Sequence, residues 1–358
     1  MRYKEINSFR RRWNVLVEFL RRPQRWKFLW YRIQWNYFPN MHIVPKMPLN
    51  VDVELADACN LKCVMCVHGT GTMKDVGVIQ EDFAKDMIDQ IAAMGVYSMK
   101  LNWRGEAAMH KKLAPIIAYA KSKGIAEVQM NTNGIPFDEE KIKNVINAGL
   151  DRIIFSVDGN SKETYESIRV GSNFEKLIHN IETFIRQKQE MGRLKPFIRV
   201  QMVRTNKNSH EVNAFIARWQ NQVDDVRISD VMDRGQGNSM MVGDLVATGR
   251  AHCPQPFQRM LVARDGKVYP CCSDWYTQWP IGDANKDKLK DIWQSKRMNQ
   301  LRKLINEDKM NLFEPCKSCY VKDSYTWRRL SKAEIKAISS KVSKAQKQQK
   351  DEKLVDTI

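Results

Sequence analysis

No stretch of the 358-residue chain approaches the roughly 18 consecutive apolar residues that a membrane span needs. The opening segment, Met1 to Arg12, leads into no uninterrupted apolar region of the kind a secretory signal carries. A cytoplasmic protein is therefore expected. No Gly-Lys-Ser/Thr follows Gly69-Thr70-Gly71, so that segment is not a phosphate loop. Acidic residues are in short supply: 41 Asp and Glu face 59 Lys and Arg, a formal net charge of +18. Such an excess favours anionic partners, whether nucleotides, phosphorylated small molecules or an acidic membrane surface. No nucleic-acid recognition motif accompanies the charge, so nucleic acid is not expected among them.

The shortage of acids is sharpest at the N-terminus. Residues 1–40 hold two acids against ten Lys or Arg and eleven aromatics, with Pro23 dividing them into two short amphipathic helical patterns. Residues 1–48 thus form a basic, aromatic extension, for which two arrangements stand. Either its Trp and Phe side chains pack on the main domain, or a helix lies aromatic side down on an anionic bilayer, peripheral to the inner face of the membrane. The tail, residues 331–358, is rich in Lys, Gln and Ser and nearly free of aromatics, which suits a frayed or solvated segment.

From Leu49 short β-rich runs alternate with longer segments of helical period. Strands are expected at Val51 to Leu55, Tyr97 to Trp103, Glu127 to Met130, Arg152 to Val157, Phe197 to Val203 and Val226 to Val231. Helices are expected near Glu81 to Ala93, Leu113 to Ser122, Glu139 to Ala148, Phe174 to Lys188 and Ser209 to Trp219. Repeated β-then-α steps imply parallel strands joined by right-handed crossovers. Six units are too few to close an eight-strand barrel, so residues 49–240 are expected to form an α/β partial (β/α)6 barrel. Its site belongs at the C-terminal strand ends. After Met240 the pattern changes to a small, loop-rich domain, residues 241–330, whose cysteines can compensate a thin core by binding metal.

The eight cysteines are spaced as metal ligands and not as a disulfide framework. Cys59, Cys63 and Cys66 fall within eight residues straight after the first strand. Three thiolates leave one iron of a 4Fe–4S cube without a protein ligand. A zinc site would ask for a fourth ligand, for which His68 is the local candidate.

This C-x3-C-x2-C spacing resembles the radical S-adenosylmethionine (SAM) superfamily, and further matches follow in order. Gly105-Glu106 is similar to the motif whose acid receives the SAM amino group, with Arg104 standing where the family commonly has a second glycine. Asn131-Thr132-Asn133-Gly134 resembles the family's T-N-G turn. Ser156 and Arg169 fall in a stretch like the one that contacts SAM ribose and carboxylate, and Met65 sits where an aromatic commonly meets adenine. The resemblance implies a SAM-binding 4Fe–4S cluster on Cys59, Cys63 and Cys66, with SAM bound by Met65, Gly105, Glu106, Asn133, Ser156 and Arg169. It also implies reductive cleavage of SAM to a 5′-deoxyadenosyl radical, fed by a flavodoxin or ferredoxin-type electron donor. Taken singly, Glu106 could be a solvated loop acid, Asn133-Gly134 an ordinary turn, and Ser156 and Asp158 a helix N-cap.

A second cysteine set follows: Cys253, Cys271, Cys272, Cys316 and Cys319. It resembles the auxiliary-cluster domain of SPASM and twitch-type radical SAM enzymes. Too few cysteines are present for the two auxiliary clusters of the full pattern, so one auxiliary 4Fe–4S cluster on Cys253, Cys271, Cys316 and Cys319 is expected. A four-cysteine zinc site is the alternative. Cys271 is preferred to Cys272 because it follows the spacer after Gly266. Cys272 is then an inert thiol, an alternative ligand, or a catalytic hydrogen-atom donor. Enzymes of this plan include oxidases and epimerases of sugars and aminocyclitols, sulfatase-maturing enzymes and peptide crosslinkers. Oxidation or epimerisation of a carbohydrate-like small molecule, with phosphorylated and nucleotide-linked forms included, is the preferred expectation. Peptide or protein maturation, and a non-catalytic iron–sulfur scaffold, are the alternatives. Asp233, Arg234 and Asp274 are candidate proton-handling groups, each with a plain surface charge as the other reading.

Overall fold

The computed structural model describes residues 24–231 and 253–312, together with 19, 314–317 and 319. Chain order begins with helix α1 (Arg25–Tyr37), then β1 (Asn50–Val53), α2 (Glu81–Ala93), β2 (Ser98–Lys100), α3 (Leu113–Ser122) and β3 (Glu127–Thr132). It continues with α4 (Glu139–Asn147), β4 (Arg152–Ser156), α5 (Lys162–Ile168), α6 (Phe174–Glu190), β5 (Phe197–Arg204), α7 (Val212–Trp219) and β6 (Asp225–Asp230). Beyond residue 252 come α8 (Gln255–Gln258), β7 (Arg259–Val262), β8 (Lys267–Tyr269), β9 (Gly282–Asp283), α9 (Leu289–Trp293) and α10 (Lys296–Asn306).

The nine strands form one sheet in the order β6-β5-β4-β3-β2-β1-β7-β8-β9. Strands β1 to β6 run parallel in chain order, giving the open partial barrel expected from six β/α units. β7 adds in parallel beside β1, and β8 and β9 follow antiparallel. The second cysteine region is thereby hydrogen-bonded directly to the strand that leads into the first.

Periodicity explains which face each element buries. In α2, Ala84, Met87, Ile88 and Ile91 are buried at helical spacing, and Glu81 and Asp82 occupy the electropositive first turn. Asp138 caps α4 by accepting the Lys141 N–H at 2.7 Å, a contact worth about 1 kcal/mol. Along β5 the period is two: Ile198, Val200 and Met202 are buried, while Arg199, Gln201 and Val203 alternate with them. Gln201 and Val203 reach the cavity in the barrel mouth.

The helical stretch from Leu289 to Asn306 is divided into two helices. α9 stops at Trp293, and Ser295 restarts the chain by accepting the Met298 N–H, capping α10. In the N-terminal extension, α1 is packed on the barrel: Tyr31 is buried and stacked on Tyr97, ring centroids 4.5 Å apart. The Trp35 carbonyl accepts a hydrogen bond from Gln258, and Arg259 lies over the Trp35 ring. No described helix is long and apolar enough to cross a membrane. Most of residues 1–23, the expected domain change near residue 240, Asp233, Arg234 and the tail from residue 331 lie outside the described residues.

Candidate active site

The loop after β1 carries Cys59, Cys63 and Cys66 to the C-terminal end of the parallel strands. It is stitched to the α5 exit: the Lys62 N–H bonds the Val170 carbonyl, and the Val64 N–H bonds that of Ile168. Within the loop the Cys66 N–H bonds the Cys63 carbonyl and the Gly69 N–H that of Cys66. A Cβ on Gly69 would overlap the Cys63 carbonyl oxygen, so only glycine closes this turn. A Cβ on Gly105 would likewise run into the Ala56 and Ala58 carbonyls, which explains a glycine where the β2 loop crosses the β1 loop.

All three thiols line one cavity of about 480 Å³, shared with Met65, Gly105, Glu106, Asn133, Ser156 and Arg169. The structure thus brings together every residue expected at the first site. Burial pushes the Cys59 thiol up to about 12 and raises that of Cys63. Burial of this kind disfavours thiolates, which metal coordination would stabilise. Arg169 Nη1 stands 3.6 Å from Cys63 Sγ, and Asn133 Nδ2 stands 3.9 Å from Cys59 Sγ, so donors already face the sulfurs. His68, the fourth ligand that zinc would need, does not line this cavity and lies instead among Asp57 and Arg104. Among the described residues no three His, Cys, Asp or Glu converge on a single-ion site. A 4Fe–4S cube does not require such convergence, because each thiolate takes its own iron. The donor set fits a cluster held at three corners.

Glu106 is buried, not a solvated loop acid. Its carboxylate accepts from the Asn133 N–H at 2.7 Å, the Thr132 hydroxyl at 2.9 Å and the Ala108 N–H at 3.0 Å. A carboxylate offers about four acceptor positions, so one is left for a further donor such as an ammonium group. Burial raises the Glu106 pKa against those three bonds.

Two acids, Asp158 and Glu54, hold this rim together. Asp158 is not a helix cap; Ser161 caps α5. Asp158 accepts both Arg169 Nε (2.7 Å) and Nη2 (2.6 Å) on one oxygen and the Val203 N–H (2.7 Å) on the other. It therefore aims Arg169 at the cysteine loop while tying β4 to β5. Glu54, with no side-chain exposure, forms a two-pronged pair with Arg104 at 3.0 and 2.9 Å. Arg104 also lies over the Trp103 ring, 4.2 Å from its centroid. That buried pair gives the non-glycine residue in the Gly-Glu motif its purpose.

The second cysteine set divides cleanly. Cys253, Cys271, Cys316 and Cys319 line an enclosed cavity of about 30 Å³ walled by Trp279, Leu301, Ile305 and Met310. Cys272 instead lines the cavity of the first cluster loop, and it packs against Leu261, Ala263 and Tyr269. Its carbonyl accepts the Trp103 Nε1–H at 2.9 Å, so the residue after β2 fixes this turn. Burial raises the Cys271 thiol well above its ordinary value. Asp274 is fully buried, with its carboxylate taken by the Gln278 and Trp279 N–H groups at 2.8 Å each, so it is a turn-former and no surface charge.

An open parallel barrel with three cysteines at its mouth and a four-cysteine pocket beside it is an arrangement suited to binding iron–sulfur clusters. The radical SAM superfamily model matches residues 53–191, and the SPASM model, an iron–sulfur cluster-binding domain, matches residues 253–320. The chain belongs to the radical SAM superfamily and carries a SPASM domain. With these domains come a SAM-binding 4Fe–4S cluster, SAM itself and auxiliary iron–sulfur binding. A GTP 3′,8-cyclase of Limosilactobacillus fermentum is 31% identical over 136 residues, covering 37% of this chain and 40% of that protein. The tungsten-containing aldehyde ferredoxin oxidoreductase cofactor-modifying protein of Pyrococcus furiosus is 22% identical over 322 residues, 76% of this chain and 87% of its own. Among solved structures, BtrN in complex with AdoMet and 2-DOIA has a TM-score of 0.56 at 15% identity, over 79% of this chain and 96% of that one. Streptococcus suis SuiB bound to S-adenosylmethionine has a TM-score of 0.62 at 13% identity, over 79% and 73%. These likenesses establish the shared fold.

Proposed function

We propose that this protein is a radical SAM epimerase of a carbohydrate-like small molecule, with one auxiliary 4Fe–4S cluster on Cys253, Cys271, Cys316 and Cys319. The observation that carries this reading is the position of Cys272, which lines the same cavity as Cys59, Cys63 and Cys66 while its neighbour Cys271 lines the other. The cluster and SAM, when bound, supply a one-electron route to a radical that removes hydrogen from an unactivated carbon.

The chain's own residues do the rest. Cys59, Cys63 and Cys66 hold the cluster; Glu106 and Arg169 take the SAM amino and carboxylate groups, Ser156 and Asn133 contact its ribose side, and Met65 lies against adenine. The substrate carbon loses its hydrogen on the side of the cluster loop. Cys272 returns a hydrogen atom from the opposite face, forming a C–H bond and breaking its S–H bond. The thiyl left behind is reset by one electron from a flavodoxin or ferredoxin-type donor and one proton from solvent. An oxidase would lose a second electron from the substrate and need no such donor. The 15%-identical BtrN, crystallised with 2-DOIA, shows that this fold accommodates a small molecule in at least one relative.

An anaerobic assay that follows 5′-deoxyadenosine across nucleotide sugars, aminocyclitols and peptides identifies the substrate class. In deuterated water the product should then carry one deuterium at an inverted carbon. Cys272→Ala should halt inversion while still forming 5′-deoxyadenosine. Full turnover by that variant, or an oxidised product without deuterium, would overturn epimerisation; stimulation by peptides alone would favour maturation.

A further inference from the structure

The barrel interior carries a cation, Arg227, that neither the cluster nor the fold accounts for. Register puts Ser156 opposite Gln201, and Gln201 opposite Arg227, in one row across β4, β5 and β6. All three side chains line the cavity of the cysteine loop, as does Ser229, the next residue on the same face of β6. Nearby arginines of these strands are each matched by an acid: Arg199 pairs with Asp225 at 2.6 Å, Arg204 with Asp230 at 2.6 Å, and Arg152 approaches Glu127 at 3.8 Å. Arg227 has no such partner among the described residues, and its side chain is exposed to the cavity.

Its surroundings repel a further cation. Arg199 is held below the ordinary guanidinium value first by burial, and the positive charges of Arg152 and Arg227 add to that against the attraction of Asp225. Two carboxylates also line the cavity, but Asp230 is paired with Arg204 and Glu106 already accepts three hydrogen bonds. A cation without a counter-ion in a concave site with low-dielectric walls gathers anions. A planar guanidinium flanked by an amide and a hydroxyl suits an oxyanion with several acceptor oxygens.

We propose that Arg227, with Gln201 and Ser229 beside it, anchors a phosphoryl group of the substrate, which makes the substrate a phosphate ester such as a sugar phosphate or nucleotide-linked sugar. This rests on the reading that substrate enters the cysteine cavity, and it names the handle by which it is held. Arg227 on β6 is separated from Ser156 on β4 by the whole of β5, and lies further from the Gly-Glu and T-N-G segments assigned to SAM, so the two binding events should separate on mutation.

The test uses the reconstituted holoprotein and inorganic phosphate and pyrophosphate as probes, with affinity read by anaerobic titration calorimetry. Arg227→Gln should weaken binding of both at least about tenfold, and Arg227→Lys should retain part of it as a point charge. SAM affinity should stay within about twofold in both variants. Equal phosphate affinity in wild type and Arg227→Gln, or no phosphate binding in the millimolar range, would overturn the anchor. Loss of SAM affinity in Arg227→Gln would overturn it differently, by assigning the residue to SAM. None of these readouts needs turnover, so they stand apart from the outcome of the deuterium experiment.

Discussion

Glu106→Gln isolates what the buried acid at the strand end does. Three donors converge on its two oxygens: the Ala108 N–H and Thr132 hydroxyl on one, the Asn133 N–H on the other. Glutamine keeps one oxygen and turns the other into an NH2 donor. In one orientation that NH2 faces the Asn133 N–H; in the flipped one it faces the Ala108 N–H, although the Thr132 hydroxyl can rotate and accept. Either way a buried backbone donor loses its acceptor, which costs about 1 to 3 kcal/mol of stability. The charge that would meet an ammonium group is also gone. A hydrogen bond between charged groups is worth about 1.5 to 3 kcal/mol, or roughly 12- to 140-fold in SAM affinity. The two effects are read separately. Thermal unfolding of the apoprotein reports the first, and anaerobic titration of SAM into the reconstituted protein reports the second. A variant that unfolds earlier yet binds SAM within about twofold of wild type would show that Glu106 only braces the Asn133 turn, and would refute its role toward SAM.

Arg104→Ala leaves Glu54 buried without its cation, and loss of about 3 to 5 kcal/mol is expected, seen as a marked fall in Tm; an unchanged Tm would show the pair to be idle. Tyr31→Ala should cost about 3 to 5 kcal/mol because the ring is buried against Tyr97, whereas an extension serving only a surface would lose almost nothing. Burial raises the Tyr31 phenol above its usual value, so the folded chain keeps a proton that the unfolded chain releases. Stability should therefore decline as pH rises through about 10, and Tyr31→Phe should flatten that decline in Tm measured across alkaline pH.

Much of this was legible in the sequence, because the signals were periodic or closely spaced. α2 and α3 begin and end where the apolar spacing puts them, and the six parallel strands follow in the expected order. Cys59, Cys63 and Cys66 announce themselves by spacing alone. What escaped were contacts between residues far apart in the chain. Nothing local says that Arg104 answers Glu54, 50 positions earlier, or that one oxygen of Asp158 serves Arg169 and the other Val203. Adjacent Cys271 and Cys272 are chemically alike, and only the turn pinned by Trp103 sends them into different cavities. Asp274 was misjudged as a surface charge because a buried acid satisfied by two backbone N–H groups looks, in sequence, like any loop aspartate.

The account stands on two independent cysteine sites, and iron counting after joint replacement of Cys59, Cys63 and Cys66 by Ala tests that division directly. Wild type should hold about eight irons per chain, and the triple variant about four, with an intact cluster spectrum and no SAM cleavage. Loss of all iron in the triple variant, or retention of SAM cleavage, would contradict it.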